Sequence, residues 1–186
     1  MKKYELTGEC KVYFGVTLRR IKSLIDFSDV KKGELGGFIE KEENLSHGGD
    51  ARVYGNAMVY GDARVYGNAM VSGDAWVSGN AMVYGDARVY GNAMVSGNAM
   101  VYGDAMVSGD ADYMVIDKIG SRFGFTTFFK NQNNKISVSC GCFLGTLAEF
   151  RAAVKEKHGT DTKFAKVYQA AADLAELQIE HNEKAD

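Results

Sequence analysis

The stretch that decides the fold runs from Ala51 to Ala111: ARVYGNAMVYGDARVYGNAMVSGDAWVSGNAMVYGDARVYGNAMVSGNAMVYGDAMVSGDA. It repeats a six-residue frame, A-x-V-[YS]-G-[DN], in which Val recurs ten times from Val53 to Val107 and Ala eleven times from Ala51 to Ala111. Within each frame Ala and Val flank one variable residue, the period-two alternation of a strand, and Gly with Asn or Asp then turns the chain. A strand this short cannot bury its apolar side alone, so the frames must stack into a solenoid. Corners every six residues close a three-sided coil in which residues three frames apart lie above one another, about 4.8 Å apart. Upstream, Ile39 and Leu45 fall on the six-residue grid of the Ala positions. The coil is therefore expected to start near Gly36 with irregular frames and to make about four rungs.

An aliphatic residue followed four positions on by a small one, as in Val53 and Ala57, resembles the hexapeptide repeat of left-handed parallel β-helices. The resemblance implies the handedness; the spacing does not.

Three frames per rung sort the variable residues onto three faces. One carries Arg52, Met70, Arg88 and Met106, the next Met58, Trp76 and Met94, and the last Arg64, Met82 and Met100. Tyr66, Tyr84 and Tyr102 form an unbroken column, whereas the columns through Tyr54 and Tyr60 are broken by serines. Exposed strand positions ordinarily carry Thr, Lys or Glu, so outward Met and Trp point to a contact surface. The strip Met58, Trp76 and Met94, with Met82 and Met100, is the leading candidate for a partner or oligomer interface; cover by the C-terminal segment is the competing explanation. The tyrosine column, with Arg64 and Arg88, offers stacking to a planar ligand, although repetition alone also produces such ladders. The Asn and Asp columns carry hard oxygen ligands, but these residues also suit the left-handed corners, and the turn explanation prevails.

Three domains are expected: residues 1–38 as an N-terminal cap, 39–115 as the β-helix and 116–186 as an α+β module. The first alternates polar and apolar residues around Gly8, Gly15 and Gly33, which suits short strands capping the open end of the coil. In the last, 122–130 and 135–142 read as a hairpin around Asn131-Gln132-Asn133-Asn134. Thr146 and Glu149 form a capping box, and Leu147, Phe150 and Val154 give a helical stripe ending at Gly159. A second helix is expected over Asp161–Ile179, with Phe164, Val167, Ala171, Leu174 and Ala175 on one face. The fold class is thus mainly β, a parallel β-helix with a β cap and a C-terminal ββαα module.

Composition narrows the function. Among 186 residues, 22 basic side chains stand against 24 acidic ones, a net charge of −2, which supplies no field for nucleic acid or an anionic membrane. Three arginines and five aspartates in the repeat are too few charges to imitate a duplex. Cys10, Cys140 and Cys142 make no disulfide framework, and MKKYELTGEC lacks the apolar run of a signal peptide, so a reducing cytoplasm is the expected compartment. No run of about 18 apolar residues is present to span a membrane. Cys140-Gly-Cys142 places two thiols on one strand face, yet C-x-C alone lacks the four-ligand spacing of structural zinc, and no metal or cofactor is expected.

Many proteins with this repeat are acyltransferases that use a His base beside a loop projecting from the coil. The histidines here are His47, His158 and His181; none lies in the regular repeat, and no insertion breaks residues 51–111. The three His ligands of the β-helix carbonic anhydrases are equally absent from the coil. Enzyme activity is not expected; His47, at the first corner, is the remaining candidate base.

The order of motifs along the chain is specific: R-R-I-K-S-L-I-D-F at Arg19–Phe27, G-E-L-G-G-F-I-E at Gly33–Glu40, N-L-S at Asn44–Ser46, the repeats, then S-V-S-C-G-C-F-L-G-T-L-A-E-F at Ser137–Phe150. Over essentially its entire length the chain resembles a family of phage and prophage hexapeptide-repeat proteins. The family brings no catalytic residues to carry over. It implies an accessory protein in the host cytoplasm that binds a host protein, with inhibition of a defence or regulatory factor as the expected action; the outward apolar strip and the resemblance to β-helix proteins, in which homotrimers are common, add a homo-oligomer, trimer or dimer. The alternatives are a sponge for a small nucleotide signal and an acyltransferase.

Overall fold

The computed structural model describes residues 1–109 and 112–180; Ala111 and His181, named above, lie outside them. The chain opens with an antiparallel hairpin, β1 (Tyr4–Tyr13) and β2 (Val16–Ser23), and β2 then pairs antiparallel with β3 (Leu35–Ile39). From Arg52 onward each frame forms a two-residue strand and a corner. The ten strands described run from β4 (Arg52–Val53) to β13 (Met106–Val107), one every six residues.

The register establishes three frames per rung. Val53 pairs with Val71 and Val71 with Val89 on one face; Val59 with Val77 and Val77 with Val95 on the next; Val65 with Val83 and Val83 with Val101 on the third. All pairs are parallel, and rungs are joined by backbone bonds such as Tyr54 N–H to Val71 O at 3.0 Å. The inward Ala and Val side chains are 0–2% exposed from Ala51 to Val107, so each coil encloses only small and branched aliphatic groups. Each buried Val contributes about 2 kcal/mol by leaving water.

The corners need glycine for two reasons. From Gly55 to Gly103 their φ angles lie between 64 and 72°, the left-handed region that side chains avoid. A Cβ on Gly73 would also stand 2.9 Å from the Gly91 carbonyl of the next rung.

The start of the coil departs from the six-residue grid. Ile39 lies beside Val59 and Leu45 beside Val65, in the Val column and not in the Ala column. A two-residue insertion within Ser46–Gly49 accounts for the shift, because Gly49 already sits over Gly67. Gly37 takes the Ala position of that irregular frame, where a Cβ would be 2.7 Å from Ala57 O.

Carbonyls at this end of the coil have no rung to bond, and side-chain donors from the leader take their place. Lys3 Nζ donates to Ala51 O at 2.6 Å and Gly49 O at 3.2 Å. Asn44 Nδ2 donates to Ala63 O at 2.8 Å and Gly61 O at 3.0 Å, and the Tyr4 hydroxyl donates to Leu45 O at 2.7 Å. All three residues are buried.

Two compact units result. Met1–Asp104 with Ser108 and Gly109 form the first, and Ala105–Val107 with residues 112–180 form the second. In the second unit the hairpin expected around Asn131–Asn134 is present as β15 (Gly124–Lys130) and β16 (Ile136–Cys140). It is flanked by β14 (Tyr113–Ile119) and β17 (Phe143–Thr146), so the antiparallel sheet has two strands beyond the expected pair. Helix α1 (Leu147–His158) starts at the capping box, with Thr146 N–H donating to Glu149 Oε2 at 2.8 Å, and ends before Gly159. Helix α2 (Lys163–Glu180) buries Ala165, Tyr168, Ala172, Ala175 and Ile179. Of the expected stripe Ala171 and Ala175 are buried, whereas Phe164 and Leu174 are 37% and 51% exposed. Small side chains face the sheet because they allow the helix to approach it closely.

Candidate functional site

The outward residues stand in the expected columns. Met58 pairs with Trp76 and Trp76 with Met94, along β5 (Met58–Val59), β8 (Trp76–Val77) and β11 (Met94–Val95). Phe38 of β3 heads the same column, beside Met58.

What covers this strip is the N-terminal hairpin. Leu18 packs on Phe38 and Met58, and Tyr13 and Val16 complete the cluster. The Tyr13 ring meets Trp76 edge-on, 4.5 Å between centroids. Met58, expected to lie on the contact surface, is therefore buried at 7% exposure; the hairpin folds over it because Phe38 and Met58 give it an apolar seat. Trp76 is half-buried, and Met94 is 43% exposed. Beyond the hairpin lies an open groove of about 490 Å³, lined by Lys11, Asn56, Met58, Asp74, Trp76, Asn92 and Met94. Its floor is apolar and one rim is a corner column in which Asn56 Nδ2 donates to Asp74 Oδ1 at 3.1 Å. Lys11 Nζ lies 4.2 Å from the centre of the Phe38 ring.

Lys11, Tyr13 and Phe14 are missing from the residues singled out in the sequence. The available signal was Phe14-Gly15 between two alternating segments, where a two-residue hairpin turn ordinarily carries Asn-Gly. Phe14 has φ 46° and is 87% exposed. Phe123, in the turn between β14 and β15, shares the feature, with φ 48° and 74% exposure.

Met82 and Met100 pair in register with Arg64 on the third face, and both methionines are half-buried. The tyrosine column is a true stack: Tyr66 and Tyr84 lie 4.7 Å apart at 4°, Tyr84 and Tyr102 4.6 Å apart at 6°. The rings occupy one another's faces, leaving no slot between rungs for a planar ligand. Burial and the neighbouring phenols push the Tyr84 hydroxyl up to about 12. Arg64 stands on the face before this corner, where its charge acts on the Tyr66 phenol, and Arg88 stands on the face after it.

His47 belongs to the cap. Its ring stacks on Tyr4 at 4.4 Å, Nδ1 accepts from Lys3 N–H at 3.2 Å, and Nε2 lies 3.6 Å from Glu42 Oε2. In the second unit Cys140 ends β16, with its Sγ 3.1 Å from Thr126 Oγ1 and 3.9 Å from the Tyr168 hydroxyl. Cys142 lies beyond Gly141 in the following turn and is exposed, so the two thiols do not share a strand. Burial and Cys140 push the Tyr168 phenol up to about 12. The His158 ring rests 5.9 Å from Phe164 and 5.8 Å from Tyr168. Among the described residues no group of three His, Cys, Asp or Glu side chains could hold a metal ion, and no helix is long and apolar enough to cross a membrane.

No curated protein matches the chain. The family model described as the YdcK β-solenoid repeat matches four overlapping segments, residues 51–65, 63–79, 75–89 and 87–102, together less than a third of the chain. With the in-register stacking of those same frames, the match makes this chain a β-solenoid repeat protein.

Proposed function

We propose that this chain is a non-catalytic β-solenoid binding protein of the phage type. It self-associates and engages a protein of the host cell, in the host cytoplasm, as an inhibitor of a defence or regulatory factor. The observation that supports this reading best is the groove floored by Trp76 and Met94. An apolar floor with an aromatic anchor and a rim of Asn56, Asp74 and Asn92 has the composition of a small interface core with its polar border. The phage setting rests on the resemblance of the leader and tail motifs. The candidate base, His47, is committed to the leader cap through Tyr4 and Lys3, which favours a binding role over acyl transfer. The ladder rings are stacked on one another, which favours a protein partner over a nucleotide.

The test compares immobilised wild type, Trp76→Glu and Arg88→Glu as baits for host lysate. Arg88 lies on a different face, on the strand Arg88–Val89. The proposal expects a discrete protein retained by wild type and Arg88→Glu and reduced at least about tenfold by Trp76→Glu, as for an interface anchor. Equal retention by Trp76→Glu contradicts it.

A further inference from the structure

Phe14 is in a place where its side chain costs stability. β1 and β2 are joined by the two-residue turn Phe14-Gly15, with Tyr13 paired to Val16 and both turn residues at positive φ, 46° and 81°. That is the pattern of a primed hairpin turn, for which Asn-Gly is the favoured sequence. A bulky side chain is sterically disfavoured in the left-handed region, where its Cβ crowds the following carbonyl. The ring gains little in return within its own chain: it touches the edge of Tyr13 at 4.6 Å and is otherwise in solvent, 87% exposed, beside Val12 at 71%. A strained backbone that holds an aromatic ring in water points to a contact outside the fold.

The same surface carries the counterpart. Tyr13 bridges the tip to Trp76, and Lys11 of the hairpin lines the groove, so tip and groove are immediate neighbours. A surface that has a projection beside a matching recess is self-complementary about a two-fold axis, each copy's tip facing the other's recess. The charges agree: Lys11 of the hairpin, exposed and resting over its own Phe38 ring, and the exposed Asp74 on the groove rim are of opposite sign. We infer that the groove receives the Phe14 tip of a second copy of this chain, in an isologous dimer with Phe14 of each copy seated on Trp76 and Met94 of the other and Lys11 facing Asp74. The inference rests on the proposed binding role of the groove and names its first occupant.

The test is sedimentation velocity on the full chain across a concentration series, with Phe14→Asn as the variant. Asn suits a positive φ, so Phe14→Asn should fold, with a melting temperature equal to or above wild type. Wild type is expected to shift from monomer to dimer at micromolar concentration, and Phe14→Asn to weaken that association at least about thirtyfold, as for an aromatic anchor. Charge reversal of Asp74 to Lys should weaken it as well, and Lys11→Asp paired with Asp74→Lys should restore it. A wild type that stays monomeric, or a Phe14→Asn variant that dimerises like wild type, overturns the inference. So does a monomer that co-sediments with anionic lipid vesicles through Phe14, which would assign the tip to a membrane surface. Lysate capture lost with Trp76→Glu but kept with Phe14→Asn, in a monomeric wild type, would reject the self-pairing and leave the broader role of the groove standing.

Discussion

The ammonium of Lys3 is buried against two backbone carbonyls and lies 4.6 Å from the Phe27 ring centre, and burial brings its pKa down to about 8. In the unfolded chain the same group keeps its proton to about pH 10.5. Between those values the unfolded state binds the extra proton, so stability rises with pH across that window. Tyrosines act in the opposite sense: the folded phenols of Tyr84 and Tyr168 titrate near 12, so stability falls once unfolded tyrosines ionise near pH 10. Urea midpoints measured at intervals from pH 7 to 11 should therefore climb above pH 8 and turn down near pH 10, and Lys3→Met should lose the climb. A flat profile in wild type would contradict the buried charge. Lys3→Met should also cost about 1–3 kcal/mol, because Ala51 O and Gly49 O lose their donor. The alternation in the leader suggested capping strands but not these side-chain donors, since Lys3 and Asn44 read as ordinary surface residues until the coil beneath them supplies the carbonyls.

At the scale of elements, the solenoid strands carry only Ala and Val inward, and the enclosed volume leaves little room to adjust. Val77→Ala should destabilise by about 2 kcal/mol, from lost burial and a cavity bounded by neighbouring rungs. Ala75→Leu should be worse than neutral by about 1–3 kcal/mol through overpacking. Thermal melts of both variants check the pair, and tolerance of Ala75→Leu would mean that the coil interior is looser than described. The strands and corners were readable because one rule repeats ten times and each repetition repeats the same contacts. The irregular elements were not. The insertion within Ser46–Gly49 left Ile39 and Leu45 on the numerical grid while moving them to a different column. In α2, the sequence stripe favoured Phe164 and Leu174 by size, whereas the packed face is built of alanines and Tyr168, where closeness of approach decides. Ala172→Leu should accordingly cost about 1–3 kcal/mol, and Leu174→Gln should be close to neutral.

For the molecule as a whole, the outward columns followed from counting residues per rung, and Trp76 does lie between Met58 and Met94. What counting could not give is which part of a column is already occupied by the chain itself. The hairpin takes Phe38 and Met58 through long-range packing of Leu18 and Tyr13, and thereby moves the candidate surface to Trp76, Met94 and the Phe14 tip. Trp76 is the sole tryptophan, so its fluorescence reports on the groove without labelling. The most direct test of the claim that this groove is a contact surface is the emission maximum and acrylamide quenching of Trp76, measured in wild type and Phe14→Asn as the concentration is raised through the micromolar range. A blue shift with falling quenching in wild type, absent in Phe14→Asn, is the expected result. Emission and quenching that stay constant with concentration, and are unchanged when a protein captured by wild type is added, would contradict the account.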